Sequence, residues 1–150
     1  MKNPSDLENH VGYWLRVVSN HVHSAFAAKL TGSKVTVAEW IILRHLYGKE
    51  DLSQDALARR AELTKGAISK LADRLLKKNL IILGTSNQDK RRHKLRLSAA
   101  GNRLIPELAR LADKNDSEFF ECLTKNERRT LLRLMRSIVS SNKIRNSATM

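Results

Sequence analysis

Basic side chains, which can bind phosphate groups, are concentrated in one part of this sequence. Residues 52–98 contribute +8 of the formal net charge of +13, whereas residues 1–51 contribute +1 and residues 99–150 contribute +4. A charge gathered on one substructure, rather than spread evenly, is typical of a surface that contacts nucleic acid. The chemistry that these residues favour is therefore the binding of a polyanion.

Residue arrangements that support catalysis or metal binding are missing from the sequence. It holds no nucleophile motif, no glycine-rich phosphate-binding loop and no paired carboxylates with an obvious cleft, so we predict that the chain is not an enzyme. His21 and His23 are two residues apart, and on a helix they would point to different faces, which suits a shared metal poorly. We predict no metal and no cofactor.

The size and composition are those of one globular domain with a polyanionic partner. The chain has 150 residues and 41% hydrophobic content, which is enough to bury a core unaided. Its single cysteine, Cys122, excludes an internal disulfide, fits a reducing compartment and is interpreted as structural. No apolar run approaches the roughly 18 residues of a membrane span, and the N-terminus lacks the apolar core of a signal peptide. We therefore predict no membrane partner and a cytoplasmic, nucleoid-associated location.

A helix-turn-helix pattern positions much of the basic charge. Ser53 is the predicted N-cap of a helix that extends to about Arg60, and Thr64 is the predicted N-cap of the next helix after a three-residue turn. In this second helix, Ile68 and the other apolar residues recur on one face at about 100° per residue. The opposite, polar face comprises Lys65, Ser69, Lys70, Asp73, Arg74 and Lys77. We expect the apolar face to pack in the core and the polar face to remain free to bind a partner.

A basic β-hairpin is predicted directly after this unit. Residues 80–83 and 94–97 have the composition or alternation of strands, and residues 84–89 between them have turn chemistry. A very short additional strand is predicted at Leu52. The hairpin tip carries Asp89, Lys90, Arg91, Arg92 and His93. A helix-turn-helix followed by such a hairpin is a winged helix-turn-helix.

Long amphipathic helices are predicted on both sides of the winged helix. The pairs that form capping boxes at three predicted helix starts are Ser5 with Glu8, Thr36 with Glu39, and Thr124 with Glu127. The residues predicted to face inward on the helix after Thr36 are Trp40, Leu43, Leu46 and Tyr47. The first helix and the last two carry more apolar surface than a compact core of this size could absorb. We therefore predict that they pack against a second copy in a two-fold homodimer.

These patterns predict a mainly α (α+β) fold within one chain of residues 1–150. It is a winged helix-turn-helix with a two-stranded β-hairpin wing and long N- and C-terminal dimerisation helices. Residues 36–98 are expected to form the DNA-binding lobe, and residues 5–31 and 98–140 the helical dimerisation region. Residues 141–150 are polar and are expected to form a disordered tail.

The order of these elements resembles the MarR family of bacterial transcriptional regulators over about residues 7–139. The most specific residues are similar to the family's D-x-R followed by L-T-x-x-G: Asp89-Lys90-Arg91, then Leu97-Ser98-Ala99-Ala100-Gly101. Supporting matches are Thr36-Val37-Ala38-Glu39-Trp40, Leu57-Ala58-Arg59-Arg60, the recognition segment Thr64 to Arg74, and Leu123-Thr124. Three positions depart from the family's pattern: Ser98 replaces threonine, Asn79 stands where glycine is common, and Glu62 stands where a small residue is frequent.

The resemblance implies a homodimer on double-stranded DNA, with recognition helices in successive major grooves and wings in the flanking minor grooves. By position, Arg91 is the residue that probes the minor groove and Asp89 helps to hold the wing. The recognition-helix contacts carried over are Thr64, Lys65, Ala67, Ser69, Lys70 and Arg74. We add Gly66 in the same helix, Ser53 and Gln54 at the start of the preceding one, and Lys90 and Arg92 at the wing tip.

The predicted function is that of a dimeric, sequence-specific transcriptional regulator, a repressor that binds a palindromic operator. The resemblance also allows release by a small aromatic or phenolic effector, which many family members bind between the dimer helices and the DNA-binding lobe. An alternative is an architectural protein that coats or bends DNA with little sequence preference, since a charge of +13 would serve either function. A third possibility is an interaction module whose winged helix binds protein and no DNA.

Overall fold

The computed structural model describes residues 4–49, 51–84 and 94–144. The helices and strands within these ranges are, in chain order, α1 (Val11–Leu30), α2 (Val37–Leu46), β1 (Leu52–Ser53), α3 (Gln54–Ala61), α4 (Lys65–Lys77), β2 (Ile81–Leu83), β3 (Lys94–Leu97), α5 (Ala99–Phe119) and α6 (Lys125–Ser141). Two short 3-10 segments flank α1, at Leu7–Asn9 and at Thr31–Ser33. The predicted mainly α winged helix-turn-helix is confirmed. Of the tail predicted at residues 141–150, residues 145–150 lie outside the described ranges.

Side-chain caps define where the helices begin. At α2, Glu39 N donates to Thr36 Oγ1 at 3.2 Å, and Thr36 N donates to Glu39 Oε2 at 2.9 Å. The same reciprocal pair forms at the start of α6, so both of these predicted capping boxes are confirmed. The box predicted at Ser5 is wrong, because His10 has an extended backbone (φ −96°, ψ 119°) and α1 starts only at Val11.

The sheet has three antiparallel strands in the order β1-β3-β2. Leu52 on β1 pairs with Leu95 on β3, which confirms the short strand predicted at Leu52. On the other side of β3, Ile81 pairs with Leu97. The two-stranded hairpin predicted for the wing is therefore extended by β1, and β3 lies at the centre of the sheet.

The Leu97–Gly101 segment joins the base of the wing to α5. Ser98 Oγ accepts a hydrogen bond from Gly101 N at 3.0 Å, which caps α5, and donates one to the carbonyl oxygen of Asn79 at 2.7 Å. Gly101 lies against the carbonyl oxygen of Leu80, where a Cβ would have no room. Serine retains the hydroxyl of the family's threonine here, and glycine is required by the close approach. Asn79 has a φ of +55°, which explains why glycine is common at its position.

The core lies where α2, α3, α4 and the sheet meet the C-terminal part of α1 and the N-terminal half of α5. On α2 the buried residues are Glu39, Ile42, Leu43 and Leu46, one helical stripe. Tyr47, predicted to face inward, is exposed because it follows the last residue of α2 with an extended backbone (φ −67°, ψ 129°). Trp40 is half-buried and packs edge-to-face on Phe26.

Long terminal helices leave apolar side chains on the surface. Leu7, Val11 and Trp14 are exposed near the N-terminus, and α6 contributes no buried residue. The exposed apolar residues of α6 are Leu132, Leu134, Met135 and Ile138. Cys122, interpreted from the sequence as structural, is also exposed, so it contributes no core packing. No helix in the described ranges is long and apolar enough to cross a bilayer.

Candidate nucleic-acid interface

Two capped helices form the helix-turn-helix. Ser53 Oγ accepts a hydrogen bond from Ala56 N at 3.1 Å, and Thr64 Oγ1 accepts one from Ala67 N at 3.2 Å. Both predicted N-caps are confirmed. Between the helices, Glu62 adopts the left-handed conformation (φ 54°) that ends α3 and permits the tight turn.

Helix α4 presents one apolar and one polar face, as predicted. Its buried residues are Ile68, Leu71, Ala72 and Leu75. Of the residues predicted to contact DNA, Lys65, Gly66 and Lys70 are exposed, whereas Ala67 and Ser69 are half-buried. Gly66 has no atom within 4 Å of the position that a Cβ would take, so this part of the surface is open.

The ammonium group of Lys65 is held at the start of α3. Its Nζ lies 2.9 Å from Asp55 Oδ1, although 79% of the Lys65 side chain remains exposed. An exposed ion pair contributes little to stability, roughly 0–1 kcal/mol, so its main effect is to orient Lys65. Sequence reasoning missed Asp55; the signal available was an acidic residue in the first turn of α3 facing a lysine at the first position of α4.

Arg74, also predicted to contact DNA, lies beside α2, and 55% of its side chain is exposed. Its Nε is 3.5 Å from Glu39 Oε1. Residue 74 is on the flank of α4 next to α2, where a buried carboxylate attracts the guanidinium. Arg74 is four residues after Lys70, so both lie on one side of α4, and the contact of Arg74 with DNA remains a prediction.

Glu39 is a fully buried acid that accepts several hydrogen bonds. Lys78 Nζ donates to its two carboxylate oxygens at 2.7 and 2.9 Å, in addition to the bond from Thr36 N. Burial alone would raise the pKa of Glu39, but the hydrogen bonds from Lys78 and Thr36 and the charges of Lys78 and Arg74 together lower it. The sequence identified Glu39 only as a helix cap, because a capping pattern does not indicate which other helix lies against it.

The base of the wing adds exposed cations beside the helix-turn-helix. On β3, Lys94 and Arg96 are exposed while Leu95 and Leu97 are buried. Arg96 Nε lies 4.0 Å from Asp51 Oδ1, next to β1. The predicted wing-tip residues Asp89, Lys90, Arg91 and Arg92 lie outside the described residues, so their contacts remain predictions.

Metal-binding geometry is not found at this surface. Within residues 4–49, 51–84 and 94–144, no three His, Cys, Asp or Glu side chains are grouped so that they could hold a metal ion. The described interface is instead a set of exposed cations and small side chains on α3, α4 and the sheet. Such a surface can bind phosphate groups and approach base edges.

Comparison with known proteins assigns this fold to a class. A MarR-family sequence model matches residues 33–92, which include α2, the helix-turn-helix and the first wing strand. A putative transcriptional regulatory protein for the hcr operon of Thauera aromatica is 28% identical over 129 residues, covering 85% of this chain and 78% of that protein.

Two solved structures share the fold over most of the chain. BpsR of Bordetella bronchiseptica, whose DNA binding is described as regulated by 6-hydroxynicotinic acid, has a TM-score of 0.84 at 21% identity, covering 91% of this chain and 97% of its own. An E. coli MarR mutant complexed with operator DNA has a TM-score of 0.81 at 22% identity, covering 90% and 99%. The fold and the basic surface define a winged helix-turn-helix transcriptional regulator. Within that class, the chain is similar to the MarR family in sequence over residues 33–92 and in fold over most of its length.

Proposed function

We propose that this protein is a homodimeric, sequence-specific repressor that binds a palindromic operator. Helix α4 enters the major groove and the wing, through Arg91, enters the adjacent minor groove. The observation that carries the proposal is the outer face of α4, where Lys65, Gly66 and Lys70 are exposed while the opposite face is buried. A narrow minor groove has an enhanced negative potential that favours an inserted guanidinium.

The exposed apolar surface of the terminal helices supports the homodimer. Val11, Trp14 and Leu15 near the N-terminus and Leu134 and Met135 on α6 are all at least 40% exposed in the monomer. Large exposed apolar patches mark interaction surfaces, because contact between apolar side chains and water is unfavourable. A two-fold dimer would cover it and would hold two recognition helices about one DNA turn apart.

A small aromatic effector that releases the operator is the second part of the proposal. The regulation of BpsR by 6-hydroxynicotinic acid supports an effector of this class. Ligand control requires that the effector bind the DNA-bound and DNA-free conformations with different affinities. No catalytic step is part of this function, and a nucleoid-associated location follows from it.

Selection of bound DNA from a random pool by the full-length protein tests the proposal. We expect enrichment of an inverted repeat whose half-sites are centred about 10 bp apart. The architectural alternative is supported by the net charge of +13 and predicts binding without enrichment of any sequence. Binding to no DNA at all at physiological salt would favour the protein-interaction module.

A further inference from the structure

Helix α6 carries a row of basic side chains along one side. Lys125, Arg129, Arg133 and Arg136 follow one another at spacings of four, four and three residues, and such spacings place side chains on one face of a helix. All four side chains are exposed. We refer to these four residues as the α6 basic stripe.

The charge of the α6 basic stripe is not balanced by acidic neighbours. Glu127 is the one acid in α6, and it accepts hydrogen bonds from the backbone N and the Oγ1 of Thr124 at the start of the helix, both at 2.8 Å. In the part of the chain that the structure describes, no carboxylate lies within ion-pair distance of a stripe residue. Like charges four residues apart on a helix repel one another. The stripe therefore presents positive charge that an external anion would neutralise.

The preceding long helix, α5, has a different charge pattern. Glu107 lies between Arg103 and Arg110 at the same spacings, and Lys114 Nζ further along α5 is 3.5 Å from Glu118 Oε1. Rows of mixed charge are typical of helix surfaces that face only solvent. The α6 basic stripe has a single sign of charge, so it favours a polyanionic partner.

The apolar side of α6 lies opposite the stripe. Leu134 and Ile138 are exposed there, and at 100° per residue they project away from Arg129 and Arg136. These apolar side chains belong to the surface that the proposed dimer covers, so the stripe stays free when they are buried. A basic amphipathic helix binds a membrane through its apolar face, which the dimer would occupy. Nucleic acid, which is bound through charge, is therefore the favoured polyanion.

Helix α6 begins far from the DNA-binding lobe. The 21 residues of α5 give it a length of about 31 Å. Gly101 in its first turn packs against the carbonyl oxygen of Leu80 at the base of the wing, whereas Asp116 near its other end pairs with Arg128 at the start of α6. The anion that the stripe binds is therefore not the DNA segment held by α4 and the wing.

We infer that the α6 basic stripe binds the phosphate backbone of a second DNA segment, so that one dimer bridges two duplexes. The inference rests on the proposed function, because α4 and the wing hold the first duplex. Three of the four stripe residues are arginines, whose guanidinium groups pair well with phosphate oxygens. Phosphate contacts carry no sequence information, so DNA of any sequence can serve as the second segment. DNA that flanks a bound operator is at high effective concentration.

Capture of two duplexes by the full-length protein tests the inference. An operator duplex is fixed to beads and saturated with protein, unbound protein is washed away, and a labelled duplex of unrelated sequence is added. We expect retention of the labelled duplex, with an affinity that falls on the order of 100-fold between about 50 and 200 mM salt, because four cations would neutralise four phosphates. Failure of the protein-loaded beads to retain the labelled duplex at the lower salt concentration would overturn the inference.

Double variants locate the second site. Arg129→Gln/Arg136→Gln should retain the labelled duplex at least about tenfold more weakly and with a salt slope lower by about two, because two cations are lost. Arg103→Gln/Arg110→Gln removes two exposed charges of α5 at the same seven-residue spacing and should behave as the wild type does. Arg129→Lys/Arg136→Lys keeps both charges and should still retain the duplex, which separates charge from a structural effect. Equal retention by Arg129→Gln/Arg136→Gln and the wild type would contradict the inference.

Operator binding separates this inference from the proposed function. An operator duplex just long enough for the two lobes should bind Arg129→Gln/Arg136→Gln as tightly as the wild type, and light scattering should show that the variant is a dimer. If the operator binds but no second duplex is retained, the inference fails and the proposed function stands. If no operator is selected, the proposed function fails, and the same capture with two unrelated duplexes still decides whether the stripe binds DNA.

Vesicles that contain anionic phospholipid provide a further comparison. Operator-bound protein on the beads should not retain them, because the apolar side of α6 is covered in the dimer. Retention of these vesicles in place of a second duplex would assign the stripe to a membrane surface and overturn the inference.

Discussion

At the scale of single residues, the buried carboxylate of Glu39 connects the start of α2 with the end of the recognition helix. Replacing it with Gln retains the shape and one acceptor for Thr36 N but removes the counter-charge of Lys78. We expect Glu39→Gln to lower the free energy of unfolding by about 1.5–3 kcal/mol, the range for hydrogen bonds to charged groups. Urea denaturation measures this. Glu118→Gln, which breaks the exposed ion pair with Lys29, is the control and should have a much smaller effect.

The effect of Glu39→Gln should depend on pH. The pKa of Glu39 is lowered below its ordinary value of 4.5, so the folded state favours the ionised carboxylate more than the unfolded state does. The stability from this group is therefore fully present above pH 4.5 and is lost as the pH falls through the folded-state pKa. Denaturation curves from pH 7 to pH 3.5 should show the wild type and Glu39→Gln converging at the acidic end. A difference that is constant over this range would contradict the assigned charge interaction.

Arg91 provides the residue-scale test of the wing. Arg91→Ala should weaken operator binding by about 1–3 kcal/mol and reduce the dependence of log K on log salt by about one, because one cation is lost from the interface. Fluorescence anisotropy at several salt concentrations measures both quantities. Arg133→Ala on α6 removes the same charge far along the chain from the winged helix. If the two variants bind the operator equally well, Arg91 does not have the predicted role.

At the scale of elements, the joint between the wing and α5 depends on the close approach at Gly101, and Gly66 in α4, which has open surroundings, provides a comparison. Gly101→Ala would place a Cβ against the carbonyl oxygen of Leu80, and we expect a loss of about 1–3 kcal/mol in unfolding free energy. Gly66→Ala meets open space in α4 and should be neutral or stabilising by up to about 1 kcal/mol. Thermal or urea unfolding compares the two. Equal destabilisation would show that the close approach at Gly101 is not the cause.

Local patterns predicted most elements, because each helix start carries its own chemical signal. The hydroxyl caps at Ser53, Thr64 and Ser98 and the alternation of β3 depend on neighbours within a few residues, and all of them form. Contacts between elements were not predictable in this way. The position of Arg74 beside Glu39 depends on how α4 crosses α2, and the helical period of α4 shows only which face is polar.

The error at Ser5 has a related cause. A capping box is recognised from residues at N-cap and N3, but it forms only where the chain that follows is helical. Here the extended backbone at His10 interrupts the helix after one 3-10 turn. The apolar spacing from Leu7 onward continues across this interruption, so periodicity alone placed the start of α1 too early.

At the scale of the whole molecule, the apolar side of α6 should determine the oligomeric state. Met135→Asp places a charge on the exposed apolar surface, and burying an unpaired carboxylate in an interface is strongly unfavourable. We expect this variant to be monomeric by size-exclusion chromatography with light scattering and to bind a full operator much more weakly. Arg133→Asp, on the other side of α6, should remain dimeric. A Met135→Asp variant with the mass of a dimer would exclude α6 from the interface.

The central position of β3 in the sheet couples the wing to the helix-turn-helix. In the proposed DNA complex, this coupling affects how the protein responds to the distance between half-sites. Ser53 belongs to β1, which pairs with β3, and its side chain also caps α3. Ser53 therefore links α3 of the helix-turn-helix to the sheet that contains the wing strands. Because of this link, a tilt of the wing would also tilt the helix-turn-helix. In the proposed dimer, an operator with altered half-site spacing could then be bound only if each lobe rotated as a rigid unit. Rigid lobes of this kind would make operator binding sensitive to the distance between the two half-sites.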